Sequence, residues 1–338
     1  MPGLWHGQDM IVAFVPTAAG LERREIAAAD ALPAGALWID LFAPTDDERA
    51  KVDAAYGLAL PTHEEMRAIE PSARYYVENG AIYMTVTVLA RADEPVPAAD
   101  AFTFVLANRA LVTVRHNDPR PVRAFAQRIQ RQTAGSTGEE ALLGLIEAFV
   151  DRLADILERI GLDLDATSRA IFVTPGAGAR QTEQERDLQQ VLRDLGRLDD
   201  LCSTARESML GLQRLASFLA SVLDGDGRKH TKEIKARIKS IARDVASLME
   251  HADYDARKVN FLLDATLGQI NIEQNRIIKL FSVVSVVLMP PTLLGTIYGM
   301  NFANMPELGW AWGYPMALVA MAASAVLPYL YFKRRGWF

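Results

Sequence analysis

Leu280-Phe281-Ser282-Val283-Val284-Ser285-Val286-Val287-Leu288-Met289-Pro290-Pro291-Thr292-Leu293-Leu294-Gly295-Thr296-Ile297 runs directly into Tyr298-Gly299-Met300-Asn301. The short loop Phe302-Ala303-Asn304-Met305-Pro306-Glu307-Leu308 follows. A second apolar run, Tyr314 to Phe332, then closes on Lys333-Arg334-Arg335. A bilayer core of roughly 30 Å needs about 20 residues of apolar helix, with about 17 as the lower limit. Both runs exceed that limit. The region therefore predicts a transmembrane hairpin, with spans at 280–301 and 314–332, a loop at 302–313 and a basic tail at 333–338.

The rest of the chain fits a large polar part carrying this small membrane part. A mean hydropathy of +0.05 is low for a protein with many spans and slightly high for one with none. Met1 to Asp9 shows no basic segment followed by an apolar run, so no cleaved signal peptide is expected. The single cysteine, Cys202, excludes an internal disulfide framework and fits a reducing compartment. Arg276 and Lys279 precede the first span, Lys333 to Arg335 follow the second, and the loop between has no Lys or Arg. The positive-inside bias then puts both termini in the cytoplasm and the loop outside. A net charge of −6 argues against general nucleic-acid binding, which requires a dominant basic surface.

Residues 1–130 mix strand and helix signals. Ala36-Leu37-Trp38-Ile39-Asp40-Leu41 predicts a strand, and Thr45-Asp46-Asp47-Glu48 is a capping box that opens a helix through Ala55. Thr62-His63-Glu64-Glu65 repeats the box. Tyr75 to Val77 and Ala81 to Leu89 flank Asn79-Gly80, a pair suited to the positive φ angles of a type I′ turn. Phe102 to Leu106 and Ala110 to Arg115 flank Asn108-Arg109 as a second hairpin. The expectation is an α+β or mixed α/β domain.

From Ser136 onward the pattern is helical. Ser136 and Thr137 are candidate caps for a helix over Glu139 to Ile171, and Pro175-Gly176-Ala177-Gly178 breaks it. Thr182-Glu183-Gln184-Glu185 caps a second helix to Leu223, ended by Asp224-Gly225-Asp226-Gly227. Residues 131–230 thus predict a helical hairpin. The last helix has apolar or small residues at Ile234, Ile238, Ile241, Val245, Leu248, Ala252, Ala256, Val259, Leu263, Thr266 and Ile270. No proline interrupts it between Thr231 and Pro290, so a stalk at 231–279 can continue into the first span, with Pro290-Pro291 as a kink. At 1.5 Å per residue Thr231 to Met300 extends roughly 105 Å. That exceeds what one small domain buries, so the stripe is expected to pack against copies of the chain.

Inside the first span a second pattern emerges. Asn275, Ile278, Ser282, Ser285, Met289, Thr292, Thr296 and Gly299 recur every three or four residues and share one helix face. Several copies placing this face inward could enclose a pore. Equally, small and hydroxyl residues, Gly295-x-x-x-Gly299 among them, let helices approach closely, and Ser or Thr can bond within their own helix. Asn301 has two readings as well. A ring of neutral amide oxygens suits Mg2+, which dehydrates reluctantly, whereas Gly-Met-Asn is also an ordinary helix end. Glu307, the one acid of the loop, either attracts cations or is a plain exposed carboxylate.

The remaining candidates carry less. Asp224-x-Asp226-Gly resembles the start of a calcium loop, but its glycine arrives too early and Arg228 takes the next position. His251 and Asp255 stand at i, i+4 and could bind metal or simply face solvent. Arg228 to Arg243 holds seven Lys/Arg against one Glu, which reads as a solvated helix start. Cys202 has no histidine partner in any local motif, and neither a nucleophile elbow nor a P-loop is present. Nothing in the chain asks to be an enzyme or to hold an organic cofactor.

Tyr298-Gly299-Met300-Asn301, Met305-Pro306-Glu307-Leu308 and Lys333-Arg334-Arg335-Gly336-Trp337 together resemble the CorA family of magnesium channels. The likeness is closest over Asn271 to Phe338. It includes Ile272-Glu273-Gln274-Asn275-Arg276-Ile277-Ile278-Lys279 and Met289-Pro290-Pro291-Thr292, and extends more loosely to Trp38-Ile39-Asp40-Leu41 and Leu111-Val112-Thr113-Val114-Arg115. The resemblance implies a funnel-shaped homopentamer with a cytoplasmic α/β domain, a long stalk helix and two C-terminal transmembrane helices in the bacterial inner membrane. It implies Mg2+ as both transported and regulatory ion, with passage of Co2+ and Ni2+. Gly299, Met300 and Asn301 would form the outer selectivity site, Thr292 and Asn275 polar rings, and Met289, Phe281 and Ile278 an apolar constriction. Asp244, Asp253 and Asp255 are the acids at a plausible height on the stalk for sensing cytoplasmic Mg2+. Ala303 departs from the pattern, since the family often has an acid there. A zinc transporter of the related ZntB branch and a membrane-anchored coiled-coil scaffold are the competing readings.

Overall fold

The computed structural model describes residues 11–18, 20–27, 29–68, 70–94, 97–107, 109–131, 137–172, 181–225, 232–301 and 305–336, without the side chains of 71, 181–187, 307 and 308. Strands run over β1 (Ile11–Thr17), β2 (Gly20–Ile26), β3 (Trp38–Phe42), β4 (Tyr75–Glu78), β5 (Ala81–Leu89), β6 (Ala99–Ala107) and β7 (Ala110–Arg115). Helices are α1 (Asp46–Tyr56), α2 (His63–Met66), α3 (Pro71–Arg74), α4 (Arg120–Ile129), α5 (Gly138–Phe172), α6 (Gln181–Gly225), α7 (Lys232–Tyr298) and α8 (Gly313–Arg334). A 3-10 turn, Pro306–Gly309, lies between the last two. The chain divides into two compact units, Met1–Gly178 with Gln189–Leu263, and Ala179–Leu188 with Asp264–Phe338.

In the first unit the strands form one sheet in the order β2-β1-β3-β7-β6-β5-β4. β3 and β7 pair in parallel and every other neighbour is antiparallel. Alternation along each strand gives the sheet two apolar faces. Ile11, Ala13, Ile39, Leu41, Val112 and Val114 pack with Val52 of α1 and Met66 of α2. Their neighbours face the other way, where Phe14 stacks on Trp38 at 4.4 Å, Trp38 meets Phe125 of α4 at 5.4 Å, and Phe102 meets Phe149 of α5 at 5.3 Å. The predicted α/β domain is therefore a sheet covered by helices on both faces.

Local signals act as expected. Thr45 with Glu48 and Thr62 with Glu65 both close capping boxes. Asn79 at φ 49° and Gly80 at φ 78° turn the β4–β5 hairpin. Thr137 caps α5 by accepting from the Glu140 N–H and donating its own N–H to the Glu140 carboxylate. Gly138 is required at that start, because a Cβ there would stand 2.5 Å from the Arg109 carbonyl. Ser136, Asn108, the break at 175–178, the cap at 182–185 and the turn at 226–227 lie wholly or in their side chains outside the described residues.

Three elements go beyond the sequence reading. β1 includes Pro16, and β2 is largely charged and buries only Gly20, Leu21 and Ile26, so neither shows a clean strand pattern. α4 opens on Arg120-Pro121 with no capping side chain. β1 and β2 are held by strand pairing, and α4 by packing on α5 and, through Phe125, on Trp38.

The expectation that the long apolar stripe packs against copies of the chain needs correction over its first half. Ile234, Ile238, Ile241, Val245, Ala252 and Val259 are buried within the single chain. α5 and α6 are themselves 35 and 45 residues long and supply the covering surface. Arg237 holds Glu147, Lys258 reaches Asp165, and the Cys202 thiol donates to the Ala252 carbonyl at 3.3 Å. Arg237, read from sequence as part of a solvated start, is in fact half-buried by that ion pair.

Candidate permeation site

α7 continues through Pro290 and Pro291 to Tyr298. A proline lacks the N–H that closes a helical turn, so the carbonyls four residues earlier, on Val286 and Val287, lose their helical donors. The polar face reads plainly along this segment. The hydroxyls of Ser282, Ser285, Thr292 and Thr296 donate to the carbonyls of Ile278, Phe281, Leu288 and Thr292, at 2.7 to 2.9 Å. Back-bonding of this kind satisfies a hydroxyl in an apolar setting and leaves its oxygen free to accept.

Two rows run along this helix. Asn275, Ile278, Phe281, Ser282, Ser285, Met289, Thr292, Thr296 and Gly299 are all exposed in the single chain. Val283 is buried, and Val287, Pro290, Pro291, Leu294, Gly295 and Tyr298 are half-buried. At about 100° per residue the centres of these rows stand about 180° apart. Gly295, in the buried row, approaches Met321 of α8, whose Cε would lie 3.8 Å from an added Cβ. On α8 the half-buried positions are Gly313, Ala317, Met321, Ser324, Ala325, Pro328 and Phe332, mostly small side chains that let two helices come close. The second span thus covers the back of the first, and the polar row faces away from it.

α7 ends in a tightened turn. The Gly299 N–H bonds the carbonyls of Gly295 at 3.0 Å and Thr296 at 3.2 Å, and the Met300 N–H bonds that of Ile297 at 3.2 Å. Asn301 follows, exposed. A Cβ at Gly299 would lie 3.2 Å from the Gly295 carbonyl oxygen, so a bare residue suits this turn. Ala303 and the Glu307 side chain lie outside the described residues.

The three stalk acids do not converge. Asp244 is exposed, with Ser240 Oγ at 3.4 Å. Asp253 pairs with Arg206 at 2.8 Å. Asp255 is 1% exposed and its Oδ2 has no hydrogen-bond partner among the described residues; burial raises its pKa, against the nearby charges of His251 and Lys258. Among the described residues no three His, Cys, Asp or Glu side chains gather in a way that could hold a metal ion. Cys202, pushed up to about 11 chiefly by burial, is an unreactive core thiol at neutral pH.

A sheet domain built with long helices, followed by two helices long and apolar enough to cross a membrane, defines a two-span membrane protein with a large part outside the bilayer. The model of the CorA-like Mg2+ transporter protein family matches residues 33–334, and the chain belongs to that family. It is 37% identical over 305 residues to the magnesium transport protein CorA of Escherichia coli strain K12, covering 89% of this chain and 92% of that one. With the magnesium transport protein CorA of Salmonella typhimurium it shares 36% identity over 331 residues, covering 97% and 100%. In fold it resembles the complete CorA magnesium transporter of Methanocaldococcus jannaschii, with a TM-score of 0.72 at 17% identity over 97% of this chain and 99% of the other. The full-length CmaX protein superposes with a TM-score of 0.64 at 16% identity over 97% and 98%.

Proposed function

We propose that this chain is one subunit of a homopentameric channel that carries Mg2+ into the bacterial cytoplasm down its electrochemical gradient and also passes Co2+ and Ni2+. The observation that carries the proposal is the polar row of α7, turned away from α8 and ending at Gly299-Met300-Asn301. A lone anchor helix gains nothing from such a row, whereas five copies facing one another acquire a lining of polar rings interrupted by apolar ones.

In this assembly five Asn301 side chains and the backbone carbonyls of Gly299 and Met300 present neutral oxygens to an ion that keeps its water shell. Neutral donors orient that shell without trapping the ion, as a ring of carboxylates would. Below them Thr296, Thr292, Ser285, Ser282 and Asn275 offer further oxygens, with Met289, Phe281 and Ile278 as the apolar constriction. Glu307 draws cations to the outer mouth. Both termini lie in the cytoplasm, in keeping with Arg276, Lys279 and Lys333 to Arg335 flanking the spans. The domain plan is an α/β domain at 1–130, a helical hairpin at 131–230, a stalk at 231–279, spans at 280–301 and 314–332 with the loop 302–313 between, and the tail 333–338.

Cytoplasmic Mg2+ gates the channel through acids of the stalk, Asp244 first and Asp253 with it, whereas Asp255, 1% exposed, is out of an ion's reach. Asp244 is the one of the three whose exposure leaves it free to meet an ion or a neighbouring subunit. Loss of bound ion leaves like charges facing one another and loosens the closed assembly. The chain acts on no substrate chemically and requires no organic cofactor.

The deciding experiment is flux into proteoliposomes holding the purified protein, comparing Mg2+, Co2+ and Zn2+ with and without a pH gradient. Mg2+ uptake driven by membrane potential alone, abolished or made unselective by Asn301→Ala, is expected. Zn2+ uptake that needs a pH gradient would move the protein to the zinc branch. A monomeric mass in mild detergent would remove the pore.

A further inference from the structure

His63 and His116 lie 53 residues apart in sequence, yet their rings touch, with centroids 3.9 Å apart and planes at 54°. Neither ring makes a hydrogen bond among the described residues, so ring nitrogens on both sides remain unsatisfied by protein groups. Both backbones are held firmly. His63 is the first residue of α2, set by the Thr62–Glu65 capping box, and His116 follows Arg115, which is locked to Asp40. His63 is exposed and His116 half-buried, so an ion can reach the pair from water.

We propose that His63 and His116 form a binding site for a divalent first-row transition ion, at the junction of α2 with the end of β7. Two imidazoles from separate elements form an N,N donor pair that suits Ni2+, Co2+, Cu2+ or Zn2+, and Mg2+ does not compete for it, because it prefers oxygen. No third His, Cys, Asp or Glu joins them among the described residues, so water completes the coordination and the ion exchanges. The electrostatics agree. Burial, then the neighbouring His63, lowers the His116 pKa and keeps its lone pair available at neutral pH, while Arg49 adds to this and Asp100 opposes it. Asp100 is itself held by the Ala101 N–H and by Asn117 Nδ2, and its negative charge favours a cation beside His116. The site is separate from the α7 lining and does not depend on the transport reading.

The test uses the untagged full chain in detergent, with excess Mg2+ to occupy oxygen sites, and NiCl2 as probe in equilibrium dialysis near neutral pH. Wild type should retain about one Ni2+ per chain more than His63→Ala or His116→Ala, and lose it on acidification as the imidazoles take protons. Ni2+ should also raise the thermal unfolding midpoint of wild type and not of either variant. Exposed His63 tolerates truncation, so His63→Ala decides the matter even if His116→Ala folds poorly. Equal Ni2+ retention in wild type and His63→Ala, or none in wild type, overturns the assignment.

Discussion

Arg237 of α7 grips Glu147 of α5 through two hydrogen bonds, from Nε at 2.9 Å and from Nη2 at 2.8 Å. The fork geometry fixes the rotation of α7 about its own axis at this level, which a single-point lysine contact would not do. The pair is about one-third exposed on each side, so solvent screens it. A double-mutant cycle of Arg237→Ala and Glu147→Ala, read by chemical denaturation, should give a coupling of about 1 kcal/mol that shrinks in high salt.

Asp40 and Arg115 present the opposite case, since both are fully buried, with Arg115 Nη2 3.0 Å from Asp40 Oδ2. Thr113 Oγ1 donates to Asp40 at 2.6 Å and in turn accepts from Trp38 Nε1 at 2.9 Å. Asp40→Ala strands a buried guanidinium and should destabilise the sheet domain by about 3–5 kcal/mol. Arg115 also bonds the Asn117 carbonyl and Asp118, which places the loss toward the lower end. Thermal unfolding of the two proteins measures it.

Asp255 carries a pH dependence whose sign is fixed. Its folded pKa is raised above the ordinary 3.8 by burial, so the folded state binds the proton more tightly than the unfolded chain. Its contribution to stability is complete below 3.8 and disappears as pH rises through the folded value. At neutral pH a buried carboxylate with an orphaned oxygen is a cost. Asp255→Asn should therefore raise stability at neutral pH by about 1 kcal/mol, the amide being uncharged but still short of a partner, and remove the fall in stability that Asp255 contributes as pH rises above 3.8. An unchanged profile would show that Asp255 is solvated.

Gly299→Ala should reduce Mg2+ flux while Asn301 is retained, because the added methyl, 3.2 Å from the Gly295 carbonyl, shifts the turn that sets the Asn301 side chain. A few tenths of an ångström at a multi-oxygen site is expected to cost roughly tenfold in flux, about 1.4 kcal/mol. Isotope uptake in proteoliposomes at matched protein density reads it.

Asp244→Asn should weaken inhibition of flux by internal Mg2+, and Asp253→Asn less so, since Arg206 already neutralises that carboxylate. Flux recorded against increasing internal Mg2+ separates the two variants. Unaltered inhibition in the double variant would put the sensor elsewhere.

Much of the fold is legible along the chain. The Asn79-Gly80 turn, the capping boxes at Thr45 and Thr62, and the helices from Gly138 to Phe172 and Lys232 to Tyr298 all come from signals within a few residues of each other. β2 escapes this reading because a charged edge strand has no apolar alternation to betray it. The polar row of α7 is equally visible as a spacing. Its relation to the second span is not, since only the packing of Gly295 toward Met321 identifies which side α8 takes.

The acids and histidines show the limit most clearly. From sequence Asp244, Asp253 and Asp255 are three similar carboxylates on one helix, whereas the structure leaves one exposed, pairs one with Arg206 and buries the third. His63 and His116 share no motif at all. By itself the sequence determined the two spans, the long helix feeding the first of them, the terminal Gly-Met-Asn and the membership that these imply. Those depend on helix rise, bilayer thickness and local backbone preference, which a single stretch of chain contains. Only the tertiary structure decided which charges are buried or paired, which face of α7 is covered, and which rings meet. Burial and pairing depend on what stands opposite in space, and that is set by residues tens to hundreds of positions away.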